Sequence, residues 1–380
     1  MELQSTADLA DWLATGRPLG GVRLQDVDLR PVEDALLRET ALNGLVVLGG
    51  EVSPALLVHL QTNGAVVFPE DPDTPVDIYR AHLYTGAELY AGLDGPGGYA
   101  ATVDSRAYEW GRDVRLADDA YATLLKAIHD DSVNDALDEW VAGRRVVGIM
   151  GGHAQPRGTG EYAAAARTGH ALAAAGLLVA TGGGPGAMEA ANLGAVAPSA
   201  DALEWALEHL RPVPTFVPDV GDWARVAFEV VESFGARVSP RPGSPAPVAD
   251  SGAPEPRPRS FGVPTWFYGH EPPNVFAEGI AKYFSNAVRE DGLLARSNAG
   301  VLVMPGAAGT VQEVFQLATR LYYAPEDGTP PPLVLVGVEH WVETLPVWPL
   351  LRAMAQGRRM EQALHLVDDA QEAVALVTVG

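Results

Sequence analysis

At 380 residues, with 49 acidic against 26 basic side chains and a formal net charge of −23, the chain as a whole repels polyphosphate backbones and anionic membranes, which argues against nucleic acid and membrane surfaces as partners. It has no cysteine, so disulfides, thiolate metal sites and cysteine nucleophiles are excluded. No run reaches the roughly 20 apolar residues that span a bilayer, and the N-terminus has no basic stretch followed by an apolar one, so a cytoplasmic location is expected.

Residues 1–140 carry short apolar runs such as "NGLVVLGGEV" (43–52) and "NGAVVFPED" (63–71), separated by turn residues, and then the helical pattern "ADDAYATLLKAIHDDSVNDALDEWVAG" (117–143). They read as a smaller N-terminal α/β domain with a regulatory or assembly role, whose last helix leads into a second domain, 141–380. There "RRVVGIM" is a strand and "EYAAAARTGHALAAAG" a small-residue helix. "LLVATGGGPGAMEAANLGA" is strand, glycine turn and helix. Helices are expected near 200–210 and 220–235. Residues 238–260 are too rich in Pro, Gly, Ser and Ala to pack as an element and read as a mobile surface insertion. "FGVPTWFYG" then reads as a strand, 274–290 as a helix, "AGVLVM" as a strand, 310–323 as a helix, "PLVLVG" as a strand and 340–357 as a helix. Alternating helices and near-continuous Val/Leu/Ile strands predict a doubly wound, Rossmann-like parallel sheet.

In such sheets ligands sit at the carboxyl ends of the strands. Three loops there are rich in glycine or polar groups: "GGHAQPRGTG" (151–160), "GGGPGAM" (182–188) and "PGAAGT" (305–310). Amides at the start of the helix near Gly309, the Thr310 hydroxyl and close backbone approach at glycine suit an anion. Taken alone, "GGGPG" is more often a tight turn than a ligand loop. Glu313 is expected within the first helical turn, where the helix dipole favours its ionised form. From position alone it either caps the helix or orients water and stabilises positive charge. His153 and His270 lie on loops, where a single histidine is usually solvated. No spacing resembles a metal cage, so neither a metal nor a cofactor is expected.

The string Pro305-Gly306-Ala307-Ala308-Gly309-Thr310-Val311-Gln312-Glu313 resembles the PGGxGTxxE signature of the Lonely Guy (LOG) family, phosphoribohydrolases long labelled lysine decarboxylases. "TGGGPGAMEAANLGA" (181–195) is similar to that family's earlier glycine loop, and the likeness covers roughly residues 144–340. "EPPN" (271–274) and Arg289 resemble the larger bacterial members, the nucleotide 5′-monophosphate nucleosidases. Two departures stand out. Ala307 replaces the second glycine of PGG, at a cost of about 1 kcal/mol if that position needs positive φ, and Arg289-Glu290 stands where the short enzymes carry Arg-Lys.

The resemblance implies hydrolysis of the N-glycosidic bond of a nucleoside 5′-monophosphate to free base and ribose 5-phosphate, in a homodimer or higher homo-oligomer. Glu313 would stabilise positive charge on the ribose and align water. Arg289 would pair with Glu313, the phosphate or the base, and Glu271 would contact ribose hydroxyls or protonate the base. Gly152, Gly183, Gly184, Gly186, Met188, Gly306, Gly309 and Thr310 would surround the nucleotide. A pyridoxal-phosphate decarboxylase needs a lysine, and only Lys126 and Lys282 exist, on none of the three loops. A dinucleotide oxidoreductase is weakened because "GGGPGAM" lacks G-x-G-x-x-G spacing. The remaining alternative is a non-catalytic nucleotide sensor.

Overall fold

Four short strands of the N-terminal region, β1 (Glu2–Leu3), β2 (Arg23–Gln25), β3 (Val46–Leu48) and β4 (Val66–Phe68), form a parallel sheet in that order. The helices that pack on it start where a serine can cap them: the Ser5 and Ser53 hydroxyls accept the amides of Asp8 and Leu56 at the heads of Thr6–Ala14 and Pro54–Thr62. Leu9, Leu24, Val47, Leu56 and Leu60 fill the core between them. The computed structural model describes residues 1–116, 118–235, 257–267, 271–324 and 330–378.

The small sheet belongs to a unit made of Met1–Leu83 and Glu109–Leu137; a second unit holds Tyr84–Tyr108 and Asp138–Gly380. The division is interleaved and does not fall at one point near residue 140. The second unit is built on β5 (Val146–Met150), β6 (Leu178–Thr181), β7 (Ser260–Gly262), β8 (Gly279–Ile280), β9 (Gly300–Val303), β10 (Leu333–Val336) and β11 (Leu364–Val367). These lie in the order β11-β10-β9-β5-β6-β7-β8, every pair parallel. This is the doubly wound α/β sheet that the alternation predicts. Helices cover both faces, so all five residues of β5 are buried and its apolar run is continuous. Val147, Ile149, Val179, Leu302, Val334 and Val336 pack with Leu172 and Val377 in one core cluster; Tyr162, Ala190, Leu193 and Trp223 belong to another.

The chain runs from β5 outward through β6, β7 and β8, then returns to β9 on the other side of β5. The loops after β5 and β9 therefore leave for opposite faces, and a crevice opens at their carboxyl ends.

Several elements differ from the periodicity. The helix expected over 274–290 begins only at Asn286, after Ser285 caps it, and Gly279–Ile280 is a strand instead. Tertiary pairing overrides the helical pattern there: Ile280 and Tyr84 exchange backbone hydrogen bonds, and the Asn274 amide is spent on Gly184 O and Asn192 Oδ1. The helix expected over 340–357 is a π-helical turn, His340–Thr344, followed by a separate helix, Val347–Ala355. Pro346 separates the two, since it lacks an N–H and its ring clashes with the preceding turn. The strand read at 261–269 is shorter, ending at Gly262 before Pro264. Strand β11 and the closing helix Ala370–Thr378 have no counterpart in the sequence reading. The insertion read at 238–260 lies outside the described residues as far as 256, and Ser260 already opens β7. Among the described residues no helix is long and apolar enough to cross a membrane.

Candidate functional site

The crevice is a cleft of about 920 Å³ lined by the loops that follow β5, β6, β7, β9 and β10. Glu313, Arg289, Glu271, Gly152, Gly184, Met188, Gly306, Gly309 and Thr310 all line it. Gly183 and Gly186 do not. The Gly183 amide donates to Thr181 Oγ1 and its carbonyl accepts from Asn274 N–H, while Gly186, at φ 73°, begins the helix Ala187–Val196. These two glycines shape the loop from behind.

At the floor of the cleft the helices Asn286–Arg296 and Ala308–Tyr322 are laced together. Arg289 Nη1 donates to Glu313 Oε1 at 2.9 Å, Gln312 Nε2 to Glu290 Oε2 at 2.7 Å and Gln316 Nε2 to Asp291 Oδ1 at 2.6 Å. The Arg289 and Glu313 side chains are only 11% and 12% exposed, so their ion pair is desolvated and far less screened than a surface pair. Glu313 does not sit in the first helical turn as expected. Its helix begins at Ala308, which puts the carboxylate in the second turn, beyond the strongest part of the dipole. Burial raises its pKa above the ordinary value, with Glu290 and Glu271 adding to the shift, and the Arg289 charge offsets only part of this. Burial thus opposes ionisation, contrary to the dipole-based expectation.

Glu290 also lines the cleft. Both its oxygens are held by side-chain amides, from Asn286 at 2.6 Å and Gln312 at 2.7 Å. The closeness of Arg289 explains a glycine: a Cβ on Gly182 would stand 2.5 Å from Arg289 Nη2 and 2.6 Å from Met188 Sδ.

On the β9 side, Ala307 precedes the first helical residue with φ −117°, so the loop has no left-handed backbone at the position where alanine replaces glycine, and the feared strain is absent. No side chain caps this helix, whereas serine, threonine or aspartate caps those beginning at Gly160, Ala200, Val220 and Asn286. Its first amides are left for something else. The Thr310 side chain folds back onto Gly306, where a Cβ would come within 2.2 Å of Thr310 Oγ1; the corresponding position on Gly309 is open.

Two histidines complete the walls. His153, expected to be merely solvated, faces Glu271 with Nδ1 3.4 Å from Oε1. His340, which the sequence reading passed over, lies against the Gly306 peptide. Its only signal in the sequence is its place just after a parallel strand, "LVLVGVEH". His270 lies outside the described residues. Among the described residues no group of three His, Asp or Glu side chains forms a metal cage.

Neither lysine reaches the cleft. Lys282 is buried, with Nζ 2.6 Å from Asp104 Oδ1, and Lys126 is not among the residues that line the cleft. With no lysine lining the cleft, its residues do not fit pyridoxal phosphate. No curated protein matches the chain. Residues 248–377 match the family model described as "Possible lysine decarboxylase", the LOG-family domain, a stretch that takes in Glu271, Arg289, Gly306–Glu313 and His340 and supports a LOG-like fold there.

Proposed function

We propose that the chain hydrolyses the N-glycosidic bond of nucleoside 5′-monophosphates, releasing free base and ribose 5-phosphate. The observation that carries this reading is the part-buried Arg289–Glu313 pair, 2.9 Å apart, lining the same cleft as the uncapped helix start at Gly306–Thr310. The 5′-phosphate would take the loop amides and the Thr310 hydroxyl, each charge-assisted bond contributing about 1.5–3 kcal/mol.

The ribose then lies against Glu313. As the C1′–N bond breaks, its electron pair leaves with the base and positive charge develops on the sugar ring. An ionised Glu313 stabilises that charge and orients a water, whose oxygen bonds to C1′ as its O–H bond breaks and the proton passes to the Glu313 carboxylate. Arg289 keeps the carboxylate in place. The proton the base needs would come from Glu271, backed by His153, both lining the same cleft.

The test compares kcat/KM for a nucleoside and its 5′-monophosphate, in wild type and in Thr310→Val. Free base should appear from the monophosphate, and the nucleoside should be slower by several orders of magnitude, since remote binding energy is what positions the sugar. Thr310→Val should weaken only the monophosphate. Binding of monophosphates without release of base from any of them would make the protein a sensor and overturn the hydrolytic reading.

A further inference from the structure

β9 and β10 are adjacent parallel strands, and they deliver two loops side by side: "PGAAGT" after β9, and Gly337–His340 after β10. His340 opens the π-helical turn and lines the cleft. Its ring is edge-on to Trp341, with centroids 4.6 Å apart, and Trp341 is itself buried and donates from Nε1 to Val336 O at 2.9 Å. The imidazole is therefore held from behind.

Its Nε2 lies 3.1 Å from Gly306 O and 3.4 Å from Gly306 N. The two contacts call for opposite tautomers: a protonated Nε2 donates to the carbonyl, a bare one accepts from the amide. The contact to oxygen falls within the usual N–H···O range and the contact to nitrogen outside it, so the geometry favours the tautomer that donates. In that state the Gly306 N–H, which points at the same ring nitrogen, stays covered by the imidazole.

We infer that His340 is a positioning residue for phosphate recognition: by donating to the Gly306 carbonyl it fixes the plane of the Gly306–Ala307 peptide and so aims the Ala307 N–H at the dianion of a phosphate monoester. This rests on the phosphate-loop reading above and names a residue that controls it. A trans peptide points its C=O and N–H in opposite directions, so tying down Gly306 O sets the direction of the Ala307 amide, the next in the loop.

The variants to make in the full chain are His340→Phe, which keeps the ring and removes the donor, and His340→Gln, whose amide restores one. Steady-state kinetics on a 5′-monophosphate and its nucleoside are read beside inhibition by inorganic phosphate. His340→Phe should raise KM for the monophosphate and Ki for phosphate about tenfold, the worth of one hydrogen bond, with kcat within about twofold and the nucleoside unaffected. His340→Gln should recover most of the loss. An unchanged phosphate Ki in a folded His340→Phe, or an equal loss on both substrates, overturns the inference alone. A wild type that does not distinguish monophosphate from nucleoside overturns the phosphate loop and this inference with it.

Discussion

Arg289 holds Glu313 from a fixed position: Nη1 donates to the carboxylate at 2.9 Å while Nε is anchored on the Val263 carbonyl at 2.7 Å. The guanidinium is thus secured at both ends before any substrate arrives, which is the preorganisation that electrostatic catalysis requires.

Replacing Glu313 by Gln deletes the charge and almost nothing else. The proposed chemistry then loses its counter-charge, and kcat should fall by about 10²-fold or more, with the circular dichroism spectrum unchanged. A folded Glu313→Gln with wild-type turnover would take Glu313 out of the mechanism.

The pH profile should carry the imprint of burial. Because the proposed chemistry needs Glu313 ionised and burial raises its pKa, the acid limb of kcat/KM should lie above the ordinary value of 4.5. Glu290 adds to that shift, so Glu290→Gln should move the limb to lower pH. The folded chain binds this proton more tightly than the unfolded one. Hence the stability Glu313 contributes is fully present below the unfolded pKa and is lost as pH rises through the folded one. A limb unmoved in Glu290→Gln would show that the two carboxylates are not coupled.

Gly182→Ala offers a substitution that should damage the site and spare the fold. The new methyl would meet the ends of two flexible side chains, Arg289 Nη2 at 2.5 Å and Met188 Sδ at 2.6 Å, which can move aside. Moving Arg289 breaks its alignment with Glu313, and misplacement by about 1 Å costs on the order of 10²-fold in rate. Thermal melts should shift little while kcat drops. The reverse result, a large loss of stability with kcat preserved in the folded fraction, would mean that Arg289 does not yield.

Asp104 is a structural counterpart. It accepts from Lys282 Nζ at 2.6 Å, Trp266 Nε1 at 2.8 Å and Tyr99 Oη at 2.5 Å, all within the second unit. Burial pushes the Lys282 pKa down and Asp104 opposes that shift. Asp104→Ala strands a buried ammonium and should cost about 3–5 kcal/mol in urea unfolding. Adding Lys282→Met should restore part of this loss, and strict additivity of the two changes would argue that the ion pair is not what matters.

Much of the fold is legible in the sequence because a parallel sheet covered on both faces writes itself as apolar runs: 144–150, 299–304 and 332–337 each become a strand. Gly279–Ile280 was hidden because its partners, Phe261 and Tyr84, are remote in the chain and nothing local announces them. In the site, Glu313 and Arg289 were visible through their motif neighbours. The burial that governs Glu313 was not, since desolvation depends on what packs around a residue and not on what adjoins it. His340 was missed for a related reason: its partner, Gly306, lies 34 residues away, in the loop that follows the neighbouring strand β9.

The interleaved units also bear on how the chain can be divided. Three crossings, at 83/84, 108/109 and 137/138, connect them. A deletion of everything before residue 141 therefore removes Asp104 along with the small sheet and leaves Lys282 stranded. Starting the chain at Tyr84 instead retains Glu109–Leu137 without the rest of its unit. To obtain the sheet-bearing unit alone, an engineer must begin at Tyr84 and splice Tyr108 to Asp138 through a linker. A one-step gain or loss of the N-terminal unit by gene fusion would likewise not leave the sheet-bearing unit whole.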